Sequence, residues 1–338
     1  MEKIEREDDF IIRHMPLDAH LTSMLNIDKV KYRFYYNGFL NLEYTPNIVR
    51  FNYNLTWIDF KCFEFERIAR ERVLGSDEEN QKWISGALNR GYSIITDVNK
   101  KLIFNYNTSD DIPHEIMIKE ETSKGFLCAD FFQGKYGTQI VEKKELLNAI
   151  KSKNIKIRRR FNDIQLVRFY DNLHYGYDIN TIIGNLNVLL SCENKNFLIG
   201  HSLSGAIELS KKIVCESSVK EMGYYMLMNI RFWKEYLKFL NIFFSFIDKD
   251  YYMQTDKKIL EDDMNYIMEK YALKIERCKN IILKCFIKKK EMSKAELEIQ
   301  KELFDTLRIS IIPWLKRVRD NLRNADDFPF GQGEIICQ

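Results

Sequence analysis

Three positions in the first part of the chain have the residue types and order of acyl chemistry at a thiol, with one substitution. Asp18-Ala19-His20-Leu21-Thr22-Ser23-Met24-Leu25 stands near the N-terminus, Pro113-His114-Glu115 far downstream, and Ala129-Asp130-Phe131 shortly after it. In thiol enzymes of this order, a cysteine in the first turn of a helix is followed in the chain by a His that serves as base and an Asp that orients it. Position 19 is where the cysteine would stand, and here it is alanine.

The elements that position these residues can be read from their neighbours. Asp18, two residues after Pro16, is a good N-cap, and Leu17, Leu21, Met24 and Leu25 fall at the spacing of one apolar helical face. Residue 19 is then expected at the first helical position, where unpaired N–H groups and the macrodipole favour an anion and would arm a thiolate. His114, Ile116 and Ile118 share one face of a strand by its two-residue period. Thr122-Ser123-Lys124-Gly125 reads as a turn and Phe126 to Phe132 as the return strand. A three-residue loop at Glu121 to Ser123 would set His114 directly opposite Asp130, close enough for the carboxylate to hold the imidazole in one tautomer.

These segments, with Gly91-Tyr92-Ser93-Ile94-Ile95-Thr96-Asp97, Cys128-Ala129-Asp130-Phe131-Phe132 and Val141 to Ile150, resemble the butirosin-biosynthesis acyltransferase family. Within it, the chain is most similar to the amide-forming ligases of polythioamide assembly. The resemblance covers the first half well and the second half loosely. It implies a papain-like fold, with position 19 as nucleophile, His114 as general base and Asp130 as orienting acid. The implied activity is transfer of an acyl group from an acyl or peptidyl carrier-protein thioester, through a cysteine acyl-enzyme, to a small amine in natural-product biosynthesis. The substrate arrives on the carrier's phosphopantetheine, and the protein itself needs no cofactor. Ala19 departs from the pattern, marking either a natural pseudoenzyme or a deliberate Cys→Ala change, and the persistence of His114 and Asp130 favours the latter. A cysteine peptidase or thioesterase of the same fold, or a non-catalytic papain-like binding module, is the alternative.

Along the chain the expected class is α+β. Residues 1–162 are read as a papain-like catalytic region of helix plus antiparallel sheet, and residues 163–338 as an all-helical region that closes the site. Tyr92 to Val98 and Leu102 to Tyr106 are read as strands ahead of the His114 hairpin, Glu142 to Ile150 as a helix, and Ile155 to Phe161 as a last basic strand. Gly184 to Leu190, Leu198 to Val214, Val219 to Ile247, Lys257 to Lys288 and Ser293 to Leu322 show helical apolar spacing, and Pro313 interrupts the last of them.

Composition bounds the rest. The 338 residues are 45% hydrophobic, enough for a sizeable core. The opening Met1 to Asp9 lacks the pattern of a secretory leader, so none is expected, and no apolar run reaches the roughly 20 residues that cross a bilayer. The seven cysteines have no CxxC spacing, which suits free thiols in a reducing cytoplasm. The net charge of +3 conceals a cluster of eight Lys and Arg from Lys143 to Arg160 against Glu145 alone, and a second at Lys288-Lys289-Lys290. Such clusters attract acidic partners. Without nucleic-acid-binding motifs, an acidic carrier protein is expected, and neither nucleic acid nor membrane.

Two patterns are set aside. Gly200-His201-Ser202-Leu203-Ser204-Gly205 nearly matches the G-x-S-x-G elbow, but its last glycine is displaced and no His follows residue 201, so it reads as a helix start. The five histidines, among them His14 and His174, lack metal-ligand spacing, and Cys62 reads as a core thiol.

Overall fold

Pro113–Thr122 and Gly125–Phe132 pair as the hairpin that carries His114 and Asp130, and both strands are buried on their two faces at the centre, at Ile116 to Ile118 and at Cys128 to Asp130. In the computed structural model, residues 16–24, 42–51, 63–72, 75–152, 163–169, 179–191, 200–251 and 257–326 are described. The chain divides into two compact units, Met1–Lys31 with Phe60–His174 and Tyr32–Asp59 with Tyr175–Gln338. The fold is mixed α+β.

In the first unit, α1 (Pro16–Met24) precedes an antiparallel six-stranded sheet. The strands are β3 (Phe63–Ala69), β4 (Ser93–Asn99), β5 (Pro113–Thr122), β6 (Gly125–Phe132), β7 (Lys135–Val141) and β8 (Asp163–Phe169), in the order β3-β8-β4-β5-β6-β7. β4 is central and buried at every position after Ser93, so its polar Thr96, Asp97 and Asn99 lie inside. Gln133 and Gly134, both at positive φ, make the tight β6–β7 turn, whose twist suits a two-residue hairpin. At Gly125 an added Cβ would meet the Val141 carbonyl oxygen at 2.3 Å, so β7 can approach only a glycine.

Two helices cover one face of this sheet. α2 (Asp77–Asn89) opens with a capping box, in which Ser76 and Glu79 exchange bonds with each other's backbone N–H. α3 (Lys143–Lys151) packs Leu146 and Ile150 with Ile84 and Ala87 of α2 onto Ile94, Ile116, Ile118, Phe126 and Cys128. Buried Arg70 fastens the layers, donating to the Ile150 carbonyl, the Thr96 hydroxyl and the Asp97 carbonyl.

The second unit combines a hairpin, β1 (Leu42–Thr45) and β2 (Ile48–Phe51), with α4 (Ile179–Leu190), α5 (Leu203–Glu216), α6 (Val219–Tyr251), α7 (Lys257–Ile287) and α8 (Lys294–Asp326). Phe51 packs against Phe232 and Tyr236 of α6 with tilted rings and against Phe239 edge-on. Ser202 N-caps α5 by accepting from Gly205 N–H, so the elbow-like motif starts a helix. Its glycine answers to packing, since a Cβ at 205 would lie 2.3 Å from the Tyr44 hydroxyl oxygen. Among the described residues no helix is long and apolar enough to cross a membrane.

Several expectations need correction. A break at 162/163 falls immediately before β8, which pairs with β3 and β4 inside the sheet. Residues 179–326 are helical where described, apart from short connections and the Gly200 bridge, yet they share their unit with the β1–β2 hairpin from the N-terminal part of the chain. Leu102 to Tyr106 is not a strand. The Asn99 side chain accepts from Lys101 N–H and starts two 3-10 turns, Lys100–Leu102 and Phe104–Tyr106, and left-handed Asn107 ends them. The expected strand from Ile155 to Phe161, together with Cys62, His14 and His174, lies outside the described residues. Pro313 stays within α8, which does not break there.

Candidate functional site

His114 is the second residue of β5, directly after Pro113, and its side chain is 21% exposed. Its Nε2 lies 3.2 Å from Asp130 Oδ1 and 3.1 Å from Oδ2. The Asp130 side chain is fully buried, and the Tyr106 hydroxyl donates to its Oδ2. Tyr106 also sets its ring edge against His114, centroids 5.9 Å apart, and packs on Phe132 at 5.0 Å. The result is a hydrogen-bonded series, Tyr106 to Asp130 to His114, in which the carboxylate engages Nε2 and leaves Nδ1 as the basic nitrogen.

The register that makes this pair differs from the expectation. The turn has two residues, Ser123 and Lys124, and a bulge lies between Ile118 and Glu120. Extending the Met117–Ala129 register by one residue places Ile116 across from Asp130, so His114 meets the carboxylate diagonally rather than head-on. The diagonal is within reach because both side chains stand on the same face.

Burial and charge tune the neighbours of this carboxylate. Burial pushes the Tyr106 hydroxyl well above its ordinary range, and the Asp130 charge adds to this. Burial likewise raises the Cys128 thiol, again with help from Asp130, so Cys128 is an inert core thiol. Lys100, with its Nζ 5.2 Å from the Tyr106 ring centroid, is lowered by burial and partly restored by Asp130.

Position 19 sits differently from its partners. α1 begins at Pro16, so Ala19 is the fourth residue of the helix and Asp18 the third, not the N-cap. The unpaired N–H groups of the first turn therefore belong to residues 17 and 18, not to 19. Ala19 is fully buried, and α1 packs on β5 and β6. The polar contacts of α1 are with the sheet face opposite His114. His20 Nδ1 lies 3.0 Å from the Tyr136 hydroxyl, which also bonds Ser23, and His20 Nε2 lies 3.8 Å from Glu115 Oε1. Tyr136 is paired with Phe131, next to Asp130, and Glu115 is next to His114, so both point to the other side of the strands. Burial lowers the His20 pKa to about 4, with a smaller opposing pull from Asp130. His20 is a neutral imidazole at pH 7.

The structure thus brings His114 and Asp130 together and seats Ala19 on a helix engaged with the opposite face. Tyr106, Tyr136 and Lys100 were not expected from the sequence as parts of the site. A usable signal existed for Tyr136, which follows the Gln133-Gly134 turn. None existed for Tyr106, whose place depends on the turns started by Asn99.

Elsewhere, Lys143 pairs with Glu121 at 2.5 Å and Lys151 with Asp77, while residues 153–160 of the basic cluster lie outside the described residues. Lys288, Lys289 and Lys290 are exposed after α7. His201 donates from Nδ1 to the Leu42 carbonyl at 3.0 Å. Among the described residues, no group of three His, Cys, Asp or Glu is placed to hold a metal ion. Comparison with protein-family models and with curated proteins finds no match.

Proposed function

We propose that the first unit is a papain-like acyl-transfer domain whose acid–base pair is intact and whose nucleophile position, residue 19, is occupied by alanine. The observation that carries this reading is the Tyr106–Asp130–His114 series, an imidazole oriented by a buried carboxylate. With cysteine at 19, His114 would take the thiol proton, and the thiolate would attack an acyl thioester on the phosphopantetheine of a carrier protein. Collapse of the tetrahedral adduct expels the carrier thiolate, which takes the proton back from His114 and leaves as the thiol, and an acyl-enzyme remains. A small amine then attacks, His114 takes its proton, and the cysteine thiolate departs as the amide forms. Water in place of the amine would make the same site a thioesterase, and a peptide in place of the thioester a cysteine peptidase. The acidic carrier is assigned to the basic cluster from Lys151 to Arg160.

A second reading is favoured by one observation. Ala19 is fully buried on a helix whose polar contacts face away from His114, which suits a non-catalytic shell that binds the carrier without reacting. One experiment separates the two. Ala19→Cys protein incubated with an acyl carrier thioester should gain the acyl mass in intact-mass spectrometry, and His114→Ala in that background should abolish the gain. Carrier binding by the unaltered chain, with no acylation of the cysteine variant by any thioester, would sink the enzyme reading and leave the binding module.

A further inference from the structure

α7 carries an apolar series on its outer face at a strict seven-residue interval. Ile259 is 53% exposed, Tyr266 58%, Leu273 79% and Ile287 70%, and exposed Asn280 holds the one polar place in the series. The buried side of the helix, with Leu260, Met264, Tyr271, Ile275 and Ile282, lies away from this stripe. A single exposed leucine is ordinary. The repeat from 259 to 287 puts one residue in each heptad on a single line, apolar except at Asn280, half of what a full coiled-coil seam carries. The places three and four further on are charged at 262, 263, 269, 270, 276 and 277.

The stripe has edges of opposite sign. Glu269 and Glu276 fall three residues after stripe positions and line one edge, while Lys270 and Arg277 fall four residues after and line the other. We infer that a second copy of this chain covers the stripe, the two α7 helices lying parallel about a two-fold axis along the seam. In that arrangement the acidic edge of one copy meets the basic edge of the other at the same height, Glu269 beside Lys270 and Glu276 beside Arg277. Antiparallel pairing would set like charges together. Glu276 already pairs with Lys234 and Lys279 in its own chain, so Arg277 of the second copy extends an existing network. At the first step Asp262 and Asp263 put acid on both edges, and Arg317 of the same chain engages Asp263. Asn280 meets its own copy, the kind of single polar seam residue that fixes register and strand number. Four apolar side chains per copy make a small interface, so the dissociation constant should be on the order of 10 μM.

The test uses the full chain. Sedimentation velocity across a concentration series should show a reversible monomer–dimer equilibrium. Leu273→Glu should weaken it by at least about tenfold while leaving the thermal midpoint measured at dilute, monomeric concentration in place, because residue 273 is exposed in the monomer. Mild oxidation of Asn280→Cys should give a disulfide-linked dimer, whereas Glu261→Cys, off the stripe, should not. A chain that stays monomeric to about 100 μM overturns the proposal. So does a dimer indifferent to Leu273→Glu, or one in which Asn280→Cys fails to cross-link.

Discussion

His114 and His20 address the two faces of the same pair of strands, β5 and β6, and their surroundings have little in common. His114 is partly open to solvent and bonded to a buried carboxylate that a tyrosine also holds. His20 is sealed from water, with a tyrosine hydroxyl on one nitrogen and a carboxylate oxygen only at 3.8 Å from the other. A carboxylate at hydrogen-bond distance orients the His114 ring, whereas burial outweighs the pull of Asp130 on His20 and keeps it uncharged. A His beside a candidate nucleophile in the sequence is therefore no guide to which histidine could act as base.

The largest expected effect comes from removing the anion that distinguishes the two faces. Asp130→Ala strands the buried Tyr106 hydroxyl and leaves His114 without its partner, and should cost about 3 kcal/mol of unfolding free energy in urea titration. A loss below about 1 kcal/mol would mean that the carboxylate does not organise this face.

The second contrast lies in pH. The unfolded chain protonates His20 below about 6.5, while the folded chain resists until about 4. Folding therefore releases that proton in the window between these values, and stability falls as pH drops through it. Between pH 7 and pH 5 this contribution should amount to about 2 kcal/mol. His20→Gln should flatten the profile by that amount relative to the unaltered chain, and parallel profiles would show that burial does not govern His20.

The smallest effect compares the two tyrosines directly. Tyr106→Phe removes a bond to a charged acceptor, and Tyr136→Phe removes bonds to neutral ones. The first should cost about 1 kcal/mol more than the second. Equal losses in parallel denaturation curves would erase the electrostatic difference between the faces.

The parts of the fold that were legible in the sequence are those whose burial follows one simple period or whose turn residues declare a hairpin. α6, α7 and α8 keep long helical stripes, and the His114–Asp130 hairpin was found from the turn residues between two apolar stretches, although its strands are buried on both faces at Ile116 to Ile118 and Cys128 to Asp130. β4 was found despite burial on both faces, because Ile94, Ile95 and Val98 mark a strand even where alternation fails. α2 was not assigned, although Ser76 and Glu79 spell its capping box. β8 and β1–β2 were not assigned, since short strands that pair with distant segments leave little local trace. Of the candidate site, the His–Asp pair was legible as a spacing. The side on which α1 docks was not, since an apolar helical stripe declares that a helix is amphipathic but not which face of a sheet it covers.

The bulge between Ile118 and Glu120 has an evolutionary reading. Continue the turn-side register of Glu120–Leu127 down the strands with Lys119 paired rather than bulged, and Asp130 would lie across from Met117. It would then share a face with Met117 and Glu115, while His114 stayed on the other. With the bulge in place, loss of a single codon between His114 and Ile118 would separate acid from base by the full thickness of the sheet, leaving both residues, the turn and nearly all of the spacing intact in the gene. Descendants of such an event would still read as histidine followed by aspartate, and would have lost the pair.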